Sequence, residues 1–109
     1  MTSDPDETAF WALAAPLLER GGVSRSTMMG YPCLRLDGDF FASLDPRAGR
    51  LIVKLDATTV AGLIERGEAE PFAPSGRPFR EWAAVPASRG STWSDLLDRA
   101  LLAALARRR

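Results

Sequence analysis

Proton transfer near neutral pH most often falls to histidine, and this chain of 109 residues contains none. It also lacks asparagine and glutamine, and it holds one lysine, Lys54, and one cysteine, Cys33. Carboxylates, arginines and hydroxyls remain. The serines have no histidine partner and no nucleophile elbow, so no activated hydroxyl is expected. Asp37 and Asp39 flank Gly38, but a cation loop of the EF-hand kind needs further oxygen ligands at fixed spacing, which are absent. Lys54 is not the lysine of a glycine-rich phosphate loop, because no Gly-Lys-Ser or Gly-Lys-Thr occurs. Cys33 has no second cysteine or histidine for a disulfide or a metal site and reads as a small buried hydrophobe. The expectation is a protein without catalysis, metal or cofactor.

Binding chemistry has more material. An outward sheet face carrying Arg35, Phe41, Ser43, Ile52 and Lys54, with either Arg80 and Trp82 or Glu81 from the last strand, would set apolar rings beside cations. Such a face suits burial against another protein, a second copy included, or the stacking of unpaired bases. Arg77 and Arg80 can also act as a fork for a carboxylate or phosphate. Their ordinary alternative is pairing with local acids such as Glu70 or Glu81. Base-specific reading would fall to arginine alone, and the formal net charge of zero gives no whole-molecule attraction to nucleic acid. Arg107 to Arg109 suit the negative end of a helix and read as a solvated tail. Met28 and Met29 read as packing residues.

The elements that position these residues are legible in the hydrophobic period. Asp4 as cap, Pro5 at the first helical position and Glu7 reaching back start a helix whose apolar face is Phe10, Leu13, Ala14, Leu17 and Leu18. Pro16 predicts a kink or break, and Gly21 and Gly22 an end. From Ser24 to Leu55 the period becomes two, predicting a strand meander that starts with Ser24 to Met29. Leu34, Leu36, Phe40, Ala42, Leu44, Leu51, Val53 and Leu55 are expected inward. Asp37 and Gly38 make a two-residue hairpin turn and Asp45 to Arg50 a looser one. Asp56 caps a second helix with Val60, Leu63 and Ile64 on one face and Gly67 closing it. Glu68 to Pro78 reads as a loop, and Phe79 to Val85 as a strand ended by Pro86. Ser91 or Thr92 caps a third helix with Trp93, Leu96, Leu97, Ala100, Leu101, Ala104 and Leu105 on one face. This order predicts a two-layer α+β fold with an antiparallel sheet, one domain over residues 1–109.

Composition agrees with one domain: 46% hydrophobic and 26% charged residues are ordinary for a globular chain, and no apolar run is long enough for a bilayer. Met1 to Glu7 is acidic and unlike a secretory signal, so a cytoplasmic home is expected.

Four blocks of the middle region resemble the TfoX N-terminal domain family. Thr27-Met28-Met29-Gly30-Tyr31 is similar to its Met-Phe-Gly-Gly-Tyr stretch, and Leu36 to Ala42 to its second hairpin. Leu51 to Leu55 is similar to the following strand, and Glu70-Pro71-Phe72 with Gly76 to Trp82 to its loop and last strand. The resemblance spans roughly Ser24 to Pro86. It implies a small α+β module of the kind found alone or beside a second domain in bacterial competence regulators. With the third helix expected to run to Arg109, no second domain is expected in this chain. With the sheet face read above, the expected role is a regulatory, non-enzymatic module that associates with itself or with a protein partner, with nucleic-acid binding as the alternative. The residues expected to carry it are Arg35, Phe41, Lys54, Arg77, Arg80 and Trp82.

Overall fold

The computed structural model describes residues 5–28 and 30–107. The expected cap at Asp4, the packing role of Met29 and the last two arginines lie outside the described residues. Helix α1 (Pro5–Leu18) leads into strands β1 (Val23–Met28), β2 (Tyr31–Leu36), β3 (Asp39–Asp45) and β4 (Arg50–Lys54). Helix α2 (Ala57–Glu65), strands β5 (Glu70–Pro71) and β6 (Trp82–Pro86), a 3₁₀ turn (Ala87–Thr92) and helix α3 (Trp93–Arg107) follow. The strands form one antiparallel sheet in the order β1-β2-β3-β4-β6-β5. The α+β class and the element order expected from the sequence are therefore present.

The helices lie on one side of the sheet. Phe10, Ala14 and Leu17 of α1 and Trp93, Leu96, Leu97, Ala100 and Ala104 of α3 are buried against Leu34, Ala42, Leu44, Leu51 and Val53 in a single cluster. Val60 and Leu63 of α2 cover β6 through Ala83 and Val85. Asp56 caps α2 as expected: its carboxylate accepts from the Thr59 amide (3.0 Å) and hydroxyl (2.6 Å). At the other end Gly67, at φ 74°, lets its own amide reach the Ile64 carbonyl and the Glu68 amide reach Leu63, which satisfies two carbonyls that the helix leaves open.

Several expectations are corrected. Helix α1 continues through Pro16 to Leu18 rather than breaking there; Pro16 is exposed two residues from the helix end, so its ring costs little beyond one hydrogen bond. The segment read as a loop contains the edge strand β5, and the segment from Phe79 is a turn, closed by the Trp82 amide on the Phe79 carbonyl (3.1 Å), so that β6 starts only at Trp82 and includes Pro86. Helix α3 is entered through the 3₁₀ turn, and the Thr92 hydroxyl donates to the Arg89 carbonyl (2.7 Å).

The largest correction concerns β3. Asp37 at φ 51° and Gly38 at φ 93° make the expected two-residue turn, which sets Leu36 opposite Asp39 and Arg35 opposite Phe40. Beyond them the register shifts by one, so that Leu34 lies opposite Ala42 and Phe41 is the extra residue of a β-bulge. Phe41 is 0% exposed within the helix-side cluster, while Phe40 is half-buried on the opposite face. The expected positions of these two rings are thus exchanged.

Two outcomes check this packing. Phe41→Ala is expected to cost about 3–5 kcal/mol in urea unfolding and Phe40→Ala roughly 1 kcal/mol or less; the opposite ranking would place the rings the other way round. The bonds from Thr59 hold the Asp56 carboxyl below the usual carboxylate range, so the unfolded chain takes up this proton first as pH falls. The stabilisation is present at neutral pH and is lost as pH drops through that lowered value. Asp56→Ala should therefore lower Tm at neutral pH, and thermal melts of wild type and variant should converge in strong acid.

Candidate binding face

Among the described residues no helix covers the other side of the sheet. Directly opposed pairs place Cys33, Ser43, Ile52 and Ala84 in one row across it. All four are at most 2% exposed, and longer side chains flank the row on either side. On one side Arg35 sits over the Phe40 ring (4.1 Å to the centroid) and Lys54 over the Trp82 ring (5.9 Å), both pairs being direct cross-strand neighbours. On the other side Arg50 bridges Asp45 (3.1 Å) and Glu70 (3.4 Å). Glu70, expected beside Arg77 or Arg80, is thus held by Arg50. The buried Nε atoms of Arg35 and Arg50 have no hydrogen-bond partner.

The floor of the face is chemically quiet. The Cys33 thiol donates to the Tyr31 carbonyl (3.1 Å) and lies 3.5 Å from the Ser43 hydroxyl, which donates to the Pro32 carbonyl (3.0 Å). Burial pushes the Cys33 thiol above its ordinary value, the bond with Ser43 opposing this in part. A raised thiol pKa and a hydroxyl committed to a carbonyl leave no nucleophile at neutral pH. Among the described residues no group of three or more His, Cys, Asp or Glu side chains is placed to hold a metal ion, and no helix is long and apolar enough to cross a membrane.

Aromatic side chains gather at one corner of the sheet. Phe72 follows β5 and packs on Trp82 (6.4 Å between centroids) and on Phe79 (5.8 Å), while the Phe79 amide donates to the Phe72 carbonyl (2.9 Å) and closes the loop. Phe79 is nevertheless 45% exposed. Hollows flank the Pro78–Phe79–Arg80 ridge. One, of about 730 Å³, is walled on the α2 side by Ala57, Ala61, Gly62 and Glu65. The other, of about 510 Å³, lies against Glu81 and Trp82. Arg77 and Arg80 are exposed, and neither they nor Lys54 join any ion pair among the described residues.

Of the residues expected to carry function, Lys54, Trp82 and Arg80 converge on this corner, and Arg77 lies nearby on the same loop. Arg35 is on the open face but is held over Phe40 rather than grouped with them. Phe41 is not on the face at all. Phe40, Phe72 and Phe79 were not expected there. For Phe79 a signal existed: an aromatic between Pro78 and Arg80 in a proline-rich stretch is poorly placed to be buried. The small-residue wall of α2 was also readable, as Ala57 and Ala61 one turn apart beside Val60.

Compared with protein-family models, curated proteins and solved structures, the chain matches none of them.

The state of Cys33 is open to a direct check. In the native protein the thiol should react with a chromogenic disulfide reagent orders of magnitude more slowly than in denaturant; reaction at the rate of an unfolded thiol would contradict its burial and raised pKa.

Proposed function

We propose that this protein is a non-enzymatic interaction module with a regulatory role, which binds a protein segment carrying apolar and acidic side chains at the Phe72–Phe79–Trp82 corner. The observation that supports this most strongly is the exposed Phe79 ring between two hollows, with Lys54, Arg77 and Arg80 near it and in no ion pair among the described residues. An exposed aromatic beside an apolar hollow is the usual anchor of a recognition site, and cations on its rim favour an acidic partner. Glu65 and Glu81 stand on the same rim and set where the partner's acids can lie. The resemblance to TfoX N-terminal modules, small units of regulatory proteins, points the same way.

A second copy docked face to face was one form of protein contact expected from the sequence. Its intended anchor, Phe41, belongs to the core, and the centre of the face is occupied by the protein's own Arg35 and Arg50 chains. Nucleic acid is the alternative reading, favoured by the Phe79 ring between Arg77 and Arg80. Against it, Lys54 and Arg35 already occupy the faces of Trp82 and Phe40 on which bases would stack.

Titration of the intact protein with an amphipathic peptide of leucine and glutamate, followed by tryptophan fluorescence, tests the proposal. The peptide is expected to bind better than its leucine–lysine counterpart, and Phe79→Ala or Arg80→Glu is expected to weaken it roughly tenfold or more without changing the fold. Equal binding of both peptides, or none, would overturn the reading. Preferential binding of a mixed-sequence single-stranded oligonucleotide, steeply weakened by salt, would replace it with the nucleic-acid alternative.

A further inference from the structure

The two edges of the sheet differ. The β5 edge is two residues long, contains Pro71 and runs directly into the proline-rich loop, which are the features that keep an edge from pairing with another strand. The β1 edge has none of them. It is six residues long, without proline, lysine or bulge, and it pairs with β2 in an unbroken register from Val23 to Met28. Ser24, Arg25 and Thr27 are exposed.

The parity of the ladder identifies the free backbone groups. The Asp37 amide donates to the Gly22 carbonyl (2.8 Å), so the alternation of an antiparallel pair turns the backbone groups of Ser24, Ser26 and Met28 toward β2. Val23, Arg25 and Thr27 then turn theirs away from the sheet. The Val23 amide is taken by the Arg20 carbonyl (3.3 Å), which leaves the amides of Arg25 and Thr27 and the carbonyls of Val23, Arg25 and Thr27 for another strand.

The residues around Arg25 read the same in both directions: a β-branched residue, serine, arginine, serine, a β-branched residue. We infer that β1 is the interface of a two-fold homodimer, in which two β1 strands pair antiparallel about Arg25 and join two sheets into one. In that register each Arg25 amide donates to the partner's Arg25 carbonyl, and each Thr27 amide to the partner's Val23 carbonyl. Ser24 stands opposite the partner's Ser26, small against small, on the open face. Val23 stands opposite the partner's Thr27 on the helix side, a pairing of β-branched residues that suits a ladder. Such an interface is isologous and closes, so it ends at two copies.

The like charges at the centre are the evident objection. Each Arg25 guanidinium lies 4.3 Å from the centroid of its own Trp11 ring, drawn over α1 and away from the edge. That contact moves the charge off the symmetry axis and leaves the backbone of Arg25 accessible. The inference does not depend on the partner proposed for the Phe79 corner, which lies at the opposite end of the sheet and stays open in the dimer.

Light scattering behind size exclusion, run on the intact protein from micromolar to millimolar concentration, tests the dimer. Wild type should be dimeric at the upper end and little affected by salt, and Thr27→Pro should be monomeric with unchanged circular dichroism. Proline at this position removes only a donor that points away from β2. A monomeric wild type throughout the range, or a Thr27→Pro protein that is still dimeric, would overturn the inference. Should that variant fail to fold, hydrogen exchange of the wild type decides. The Arg25 and Thr27 amides are expected to gain protection with concentration, and constant fast exchange at both would refute the pairing.

Discussion

A conflict of register in the β2–β3 hairpin governs the rest of the molecule. The Asp37–Gly38 turn fixes the near end, and continuing its register would set Leu34 opposite Phe41, Cys33 opposite Ala42 and Pro32 opposite Ser43. That pairing would turn Ala42 and Leu44 away from the helices and bring Ser43 into the core. The far end, where β3 meets β4, requires the reverse, because Ala42 and Leu44 must share a face with Val53 and Leu51. A strand has a side-chain period of two, so the two demands differ by one residue and no regular strand meets both. The bulge at Phe41 supplies that residue. Phe41, Ala42 and Leu44 all reach the helix side, and the alternation resumes with Ser43 on the open face.

Both faces take their character from this adjustment. On the helix side Phe41 adds an aromatic ring to a cluster otherwise dominated by leucine, valine and alanine, against which Phe10 and Trp93 pack. On the open side the turn keeps Phe40 opposite Arg35, whose guanidinium lies over the ring beside the central row of Cys33, Ser43 and Ile52. Had β3 instead carried its far-end register back to the turn, Phe40 would be in the core and Phe41 in the open, the arrangement that simple alternation suggests. The open face is therefore closed at its centre by its own cations, and its accessible apolar surface is concentrated at the Phe79 corner. The proposed contacts therefore fall at an edge and a corner rather than on a broad apolar plane.

Much of the fold could be read from local signals that act alone. The Asp56 cap, the Gly67 stop, the Asp37–Gly38 turn and the helical stripe of Trp93, Leu96, Leu97, Ala100 and Ala104 each arise from the chemistry of a few neighbouring residues, and each is present. What was not legible came from competition between such signals. The turn and the alternation of β3 were both read, but their inconsistency by one residue, which implies a bulge, was not. The strand at Glu70 and Pro71 has no intrinsic signature at that length; it exists because β6 offers an edge. The turn at Phe79 depends on the Phe72 carbonyl, seven residues back, which no local pattern reports. Of the candidate site, Lys54 lies on the open face as read because β4 alternates without interruption, Trp82 was one of two alternatives left open for the last strand, and Phe41 was misplaced because β3 does not alternate regularly.

The most direct examination of this account is the set of cross-strand contacts between β2 and β3 by nuclear Overhauser spectroscopy on the labelled protein. Contacts should pair Arg35 with Phe40, Leu34 with Ala42 and Cys33 with Ser43, leaving Phe41 without a partner in the ladder. An uninterrupted register from the turn, with Leu34 opposite Phe41 and Cys33 opposite Ala42, would contradict the bulge and with it the division of this sheet into a packed face and an open one.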